Sequence, residues 1–338
     1  MWSEQPFELL LKKRLGGLPE PSRTDLYTDY SAARRFVTEQ ITGLIPAVEP
    51  NITDHSDRHL TEVMERARQL IGTSDDYFTP YELYLLAVSI MFHDVGNLHG
   101  REDHQAKVAQ VYDSARKQEA RFHTERNVLL AITGAHTGCA KDGSSDTLIS
   151  VGRLSFLANP VRAQELAAVL RFADELSEGP HRTSAYLLNR GMYKPDSRIF
   201  HKYASVSDYA VDPALGRIAI TYSLDIERSA LGLEVGNGIS IRDMLEFCYA
   251  RAIKLDQERR YCRHYCPLLS AIKEAGISLN FYFAGQRLNL DIPPVVLSDL
   301  VVPGEQAKRI EDCDPRYVVQ DLVIALDGLC EGSDVRLQ

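Results

Sequence analysis

Nowhere in the 338 residues do about 18 apolar side chains run together, so no membrane-spanning helix is expected. Met1-Trp2-Ser3-Glu4-Gln5-Pro6 has no basic stretch followed by an apolar one, so no export signal is expected either. Cysteine is too sparse for a disulfide framework; six in a chain this long point to reduced thiols in the cytoplasm. Positive charge is in deficit: 38 Lys and Arg against 47 Asp and Glu leave a net charge of −9. That disfavours wholesale binding to the backbone of long nucleic acid, but leaves room for a local basic pocket for one small anion. There is no Gly-x-x-x-x-Gly-Lys-Ser/Thr phosphate loop, no internal repeat and no low-complexity tract. The remainder, 44% apolar and 25% charged, is ordinary for a soluble globular protein. Its length allows one large domain or two smaller ones.

The first two-thirds of the chain carry helical periodicity. Helices are predicted over about 5–15, 31–46, 57–71, 80–93, 103–120, 123–135 and 162–176, punctuated by Gly72, Pro80, Gly96, Gly134 and Pro180. The polar stretch 137–145 reads as a loop. After about residue 200 the period changes. Ile218, Ile220, Tyr222, Leu224 and Ile226 alternate with smaller or polar neighbours, as do Ile277, Leu279, Phe281 and Phe283, so both segments read as strands. Ala284-Gly285-Gln286 then turns toward Leu288, Leu290 and Ile292, which predicts a hairpin. Between the strands a helix is expected over 240–262, with Ser240 as N-cap and Ile241, Leu245, Cys248 and Ala252 as its apolar stripe. Residues 293–315 read as an irregular connection and Val318–Leu329 as a last helix. The fold class is therefore mainly α, with a helical domain over 1–195 and a smaller α+β region over 196–338.

Within the helical part, an apolar run, Tyr84-Leu85-Leu86-Ala87-Val88-Ser89-Ile90-Met91-Phe92, ends in His93-Asp94, and Gly96-Asn97 breaks the helix. Burying a bare imidazole and carboxylate is costly, and a metal ion would satisfy both. His59 sits at an expected helix start in Asp54-His55-Ser56-Asp57-Arg58-His59, and Asp174 on an otherwise apolar helix in Leu170-Arg171-Phe172-Ala173-Asp174. Three helices could thus direct ligands into one interior pocket.

The order His, then His-Asp, then a distant Asp resembles the HD superfamily of metal-dependent phosphohydrolases over roughly residues 30–185. His59-Leu60-Thr61-Glu62-Val63 resembles the family's first-histidine helix, Phe92-His93-Asp94-Val95-Gly96 its signature, and Leu170-Arg171-Phe172-Ala173-Asp174 its last-ligand helix. The resemblance implies an HD-type helical bundle over 1–195 and His59, His93, Asp94 and Asp174 as metal ligands. His104 and His136 resemble the further ligands of two-metal members, with substrate contact or general-acid duty as the rival role. A mixed imidazole and carboxylate set suits Mn, Fe, Co, Ni or Zn, as one or two ions, better than magnesium.

Such an ion would generate hydroxide beside a phosphorus centre. His104 or His99 could then protonate the leaving oxygen. His55, Arg101, Lys107 and Arg171 are candidate phosphate-binding groups. Glu175, assigned to the catalytic set, and Glu178 could orient ligands or water. No Gly-Tyr-Pro follows His136, so the cyclic-dinucleotide subgroup marked by that triplet is not favoured. Cys262-Arg263-His264-Tyr265-Cys266 invites zinc but has no second Cys/His pair at finger spacing, and Cys139 beside His136 is less economical as a nucleophile than that histidine is as a ligand.

The expected function is metal-dependent hydrolysis of a nucleotide, foremost a deoxynucleoside triphosphate split into nucleoside and triphosphate. The alternatives are cleavage of a cyclic nucleotide, cyclic dinucleotide or short single strand, or an idle HD fold serving as nucleotide sensor or interaction module. The contexts around His55 and His104 also resemble a bacterial HD branch found in conflict and antiviral-defence systems, which implies a partner from such a system. The Ile277–Ile292 hairpin offers an edge that a second subunit of a homo-oligomer could extend.

Overall fold

The structure, a computed structural model, describes all residues except 1, 20–21, 103, 137–138, 140–142, 213, 300–303, 305, 307 and 338. The polar loop expected over 137–145 therefore lies partly outside the described residues. Two compact units are present: Met1–Ser177 with Tyr261–Ser270, and Glu178–Arg260 with Ala271–Gln338.

The first unit is a helical bundle around one helix, Pro80–Phe92, buried from Glu82 onward. Thr79 caps it through a capping box with Glu82, and Pro80 opens it with a preset φ. Every side chain from Glu82 to Phe92 is buried, and each large apolar one contributes about 1.5–3 kcal/mol by leaving water. Glu82 is matched by Arg162, whose Nε and Nη2 donate to its carboxylate at 2.9 and 2.7 Å. The helices Pro6–Leu15, Ser22–Phe36, His123–Gly134 and Ala163–Glu175 pack around this axis, and Asp57–Ile71 packs on Ala163–Glu175. A second buried charge sits between the helices His104–Ala115 and His123–Gly134. Arg116 Nη2 donates to Glu125 Oε1 at 2.6 Å, and the hydroxyls of Tyr84 and Tyr112 donate to the same carboxylate.

Helices at 5–15, 57–71, 80–93, 123–135 and 162–176 form where periodicity predicts them, within a residue or two. Two others differ. The helix expected at 31–46 begins at Ser22, because Leu26, Tyr30, Ala33 and Val37 extend its buried stripe upstream; at Val37–Ile41 it widens into a π turn. The helix expected to reach 120 stops at Ala115, where Arg116 turns inward to Glu125 and Lys117 and Gln118 take positive φ.

The second unit is built on the strand Arg217–Ser229. It pairs antiparallel with Ser207–Asp212 and parallel with Glu274–Phe283. Parallel neighbours need a crossover, and Ile241–Tyr265 supplies it, with Ser240 Oγ accepting the Asp243 N–H at 3.0 Å. The expected alternation holds: Ile218, Ile220, Tyr222, Leu224 and Ile226 are all buried, as are Ile277, Leu279, Phe281 and Phe283. The hairpin is shorter than expected. Ala284 and Gly285 turn at φ 49° and 75°, but only Gln286–Arg287 return as strand. Leu288, Leu290 and Ile292 are joined instead by successive i→i+2 backbone bonds, the mark of γ-turns. Residues 293–315 are also more ordered than expected. Val295–Ser298 pairs with Glu274–Ile277, covering that part of the edge, and Ile310–Cys313 forms a helical turn. The last helix runs over Val319–Leu337. The mainly α class with a smaller α+β part is as expected. Among the described residues no helix is long and apolar enough to cross a membrane.

Candidate metal centre

Among the described residues, six side chains of the first unit gather around the carboxylate of a seventh, Asp94. His59 stands in the first turn of the Asp57–Ile71 helix, whose cap Ser56 is itself anchored by Asp54 through its N–H and hydroxyl at 2.9 and 2.7 Å. His93 ends the central helix. Asp94 follows at φ −110°, ψ 1°, a sparsely used backbone region. Asn97 secures that turn by donating its amide N–H and its backbone N–H to the Asp94 carbonyl, each at 3.0 Å. His104 opens one helix, His136 follows the end of another, and Asp174 lies in the last turn of a third.

The Asp94 oxygens divide the imidazoles. Nε2 of His93, His55 and His59 lie 3.2, 3.5 and 3.6 Å from Oδ2. Nε2 of His104 and His136 lie 3.4 and 3.6 Å from Oδ1. Asp174 Oδ1 completes the Oδ2 side, 3.2 Å from His59 Nε2 and 3.7 Å from His93 Nε2. Two groups result that could hold a metal ion: His59, His93, Asp94 and Asp174, and Asp94, His104 and His136, with ligand atoms within 4.8 Å of one another in each.

The rings are aimed by their other nitrogen. Nδ1 of His93 lies 2.8 Å from the Ile90 carbonyl and Nδ1 of His104 lies 3.2 Å from that of Arg101; those of His55 and His136 meet the Thr53 and Thr133 carbonyls. A carbonyl only accepts, so each of these Nδ1 atoms carries a proton, and Nε2 is the atom turned toward Asp94. A positive charge must stand between each Nε2 and the carboxylate, either a proton on the imidazole or a metal ion in its place. The spacing leaves room for one: ligands about 2.1 Å from an ion sit about 3.0–3.4 Å apart at right or tetrahedral angles. Buried His93 Nε2 makes this concrete, being near Asp94 yet without any hydrogen-bond partner.

Charge is correspondingly concentrated. Burial resists ionisation of Asp94, but His93 and His55, together with bonds from His104 and His136, outweigh it and hold the carboxyl well below its usual range. Burial likewise opposes Asp174, and His59 and His93 carry it well below. For His93, burial works against the proton, but Asp94 and Asp174 prevail and lift its pKa well above the ordinary imidazole value.

The other expected site residues are placed differently. Lys107 Nζ donates to the His99 and Glu102 carbonyls at 2.7 and 2.9 Å. Arg171 is buried, donating to Thr147 Oγ1 at 2.9 Å and to the Ala135 carbonyl at 3.3 Å. Both cations are thus occupied by protein oxygens. His99 and Arg101 are exposed, with neither side chain in contact with Asp94 or Asp174. Glu175, beside Asp174, is half-buried, and Glu178 belongs to the second unit, 3.7 Å from Arg251. Cys262 and Cys266 are buried free thiols, burial pushing Cys266 up to about 12, and neither joins a metal-type group among the described residues.

Gly96 has a role that its reading as a helix breaker missed. A Cβ there would fall 1.8 Å from the His104 carbonyl oxygen, so only glycine lets that backbone approach. A glycine two residues after Asp94 was the available signal.

The HD-CE family model matches residues 49–243, more than half of the chain and spanning every ligand named above. No curated protein and no solved structure matches.

Proposed function

Because the chain belongs to the HD-CE family, we propose that it is a metal-dependent phosphohydrolase acting on nucleotides, with a deoxynucleoside triphosphate as the foremost substrate. The division of the Asp94 carboxylate between two sets of inward-facing imidazoles carries this reading. His59, His93, Asp94 and Asp174 could hold one divalent ion, and Asp94, His104 and His136 a second.

Divalent ions bound there would supply an acidified water and neutralise charge gathering on phosphoryl oxygens. The chain's own residues do the rest. Asp94 and Asp174 concentrate negative charge where the cations sit. The Nδ1 bonds of His55, His93, His104 and His136 fix ring orientation before substrate arrives, so that no reorganisation is needed during reaction. His55, at the edge of the cluster, and exposed Arg101 are the groups left to meet phosphate, since Lys107 and Arg171 are held by protein oxygens. Water attacks the α-phosphorus, the bond to the nucleoside 5′ oxygen breaks, and that oxygen takes a proton; nucleoside and triphosphate leave. His99 is the proposed proton donor, with His104 as the alternative where it holds no ion, and Glu175 is a proposed orienting carboxylate.

Substrate profiling with Mn tests the reading. Free triphosphate from a deoxynucleotide is the expected product. A linear monophosphate from a cyclic nucleotide would move the assignment to phosphodiester cleavage. Silence across nucleotides, with metal bound, would overturn hydrolysis and leave a nucleotide sensor.

A further inference from the structure

The ten residues Tyr261–Ser270 belong to the compact unit that holds the metal-type cluster, yet they lie beyond the matched family region. Two of them, Tyr261 and Tyr265, stand four apart on the last turns of the long helix, so their hydroxyls share one face. Both reach Asp146. Tyr261 donates to its Oδ1 at 2.8 Å and Tyr265 to its carboxylate at 2.7 Å. The Tyr261 hydroxyl also accepts the Leu148 N–H at 2.8 Å. Residues 146–148 are thereby fastened to this helix at three points.

The fastening continues to His136. Thr147, next to Asp146, is buried and donates its hydroxyl to the Ala135 carbonyl at 2.7 Å. Arg171 lies over the Tyr261 ring at 5.0 Å and donates to both Thr147 Oγ1 and the Ala135 carbonyl. Ala135 is the residue before His136, whose Nε2 faces Asp94 Oδ1. The link thus runs by hydrogen bonds from the two phenols to Asp146, along the chain to Thr147, and by hydrogen bonds of Thr147 and Arg171 to the backbone that carries this imidazole. The phenols also hold the Asp146 carboxyl below its usual range, Tyr265 more than Tyr261, so it stays an acceptor.

We infer that Tyr261 and Tyr265, with Asp146 and Arg171, are positioning residues for His136: they hold Thr147 and Arg171 against the Ala135 carbonyl and so set the His136 ring against Asp94 Oδ1. This builds on the proposed two-ion centre, but makes a claim about His136 that holds with or without metal. It also gives part of the C-terminal sequence a task at the site.

The test uses the full chain labelled with ¹⁵N-histidine, with His136 assigned by its absence in His136→Gln. In the metal-free wild type the His136 signals report an Nδ1 that keeps its proton in a fixed hydrogen bond. In Tyr261→Phe/Tyr265→Phe those signals shift toward the averaged values of a free ring, while those of His59 and His93 stay unchanged. A merely structural loss would disturb all three alike. Tyr265→Phe alone, which spares both bonds of the Tyr261 hydroxyl, gives a smaller shift of His136 in the same direction. Mn titration of the same proteins separates the two claims. Two equivalents for the wild type, with the second weakened at least tenfold in the double variant and the first unchanged, supports both. One equivalent for the wild type, with the His136 shift present, removes the two-ion centre and leaves the positioning role. An unchanged His136 signal in a double variant with wild-type circular dichroism overturns the positioning role whatever the metal count. If the double variant does not fold, Tyr261→Phe alone takes its place, with the same outcomes.

Discussion

Asp94 is the single side chain common to both metal-type groups, so its replacement should be felt by both. Asp94→Ala is expected to abolish metal binding and turnover while circular dichroism stays helical, because the carboxylate faces the cluster and not the apolar core; retained Mn binding by calorimetry would contradict its place at the centre. His93 gives a pH dependence. Its pKa is raised by Asp94 and Asp174 in the metal-free protein, so it holds a proton that a metal must displace. Apparent metal affinity should therefore climb as pH rises toward that elevated pKa and fall below it. Calorimetry in buffers of differing ionisation enthalpy should register proton release on binding. Gly96 gives a steric test. Gly96→Ala drives a methyl into the His104 backbone, and overpacking of this kind costs about 1–3 kcal/mol. A lower Tm with weakened binding at the His104 side, and intact binding at the His59 side, is the expected signature.

Among the elements, the buried pair between the helices His104–Ala115 and His123–Gly134 sets the firmness of the scaffold. Arg116 and Glu125 are both buried, with two tyrosine hydroxyls on the carboxylate. Glu125→Ala would strand the guanidinium in the interior at a cost of about 3–5 kcal/mol; urea denaturation should show it, and a loss below about 1 kcal/mol would mean that water reaches Arg116. The same cluster shows where sequence reading stops. The helices at 57–71 and 80–93 were legible because caps and apolar stripes are local: Ser56 and Thr79 lie beside the turns they cap. The early stop at Ala115 was not, since it depends on a pairing with Glu125 that no periodicity encodes. The same holds for Leu288, Leu290 and Ile292. Their alternation satisfies a strand pattern, yet their backbones close on themselves in γ-turns while Val295–Ser298 takes a place in the sheet.

At the scale of the whole chain, the candidate site was largely legible. His59, His93, Asp94 and Asp174 stand in contexts that fix their helical position, and the structure brings them together. The fate of the cations was hidden: Arg171 sits one helical turn before Asp174, but its partners, Thr147 and the Ala135 carbonyl, come from elsewhere in the sequence. The boundaries of the folding unit were hidden for the same reason. Cys262, Cys266 and Leu269 are fully buried and belong to the unit that begins at Met1. A chain cut after residue 243, where the family match ends, should thus lose cooperative unfolding and expose apolar surface to a hydrophobic dye, whereas the full chain unfolds cooperatively. A native-like transition in the shortened chain would show that these ten residues are dispensable.

Four of the centre's rings are tethered through one nitrogen to carbonyls of their own local turns, at Thr53, Ile90, Arg101 and Thr133. None of these tethers calls on an ion, so synthesis and maturation can be separate events. Protein stripped by a chelator is then expected to keep its helical circular dichroism and its ring orientations, loading being a step apart from folding.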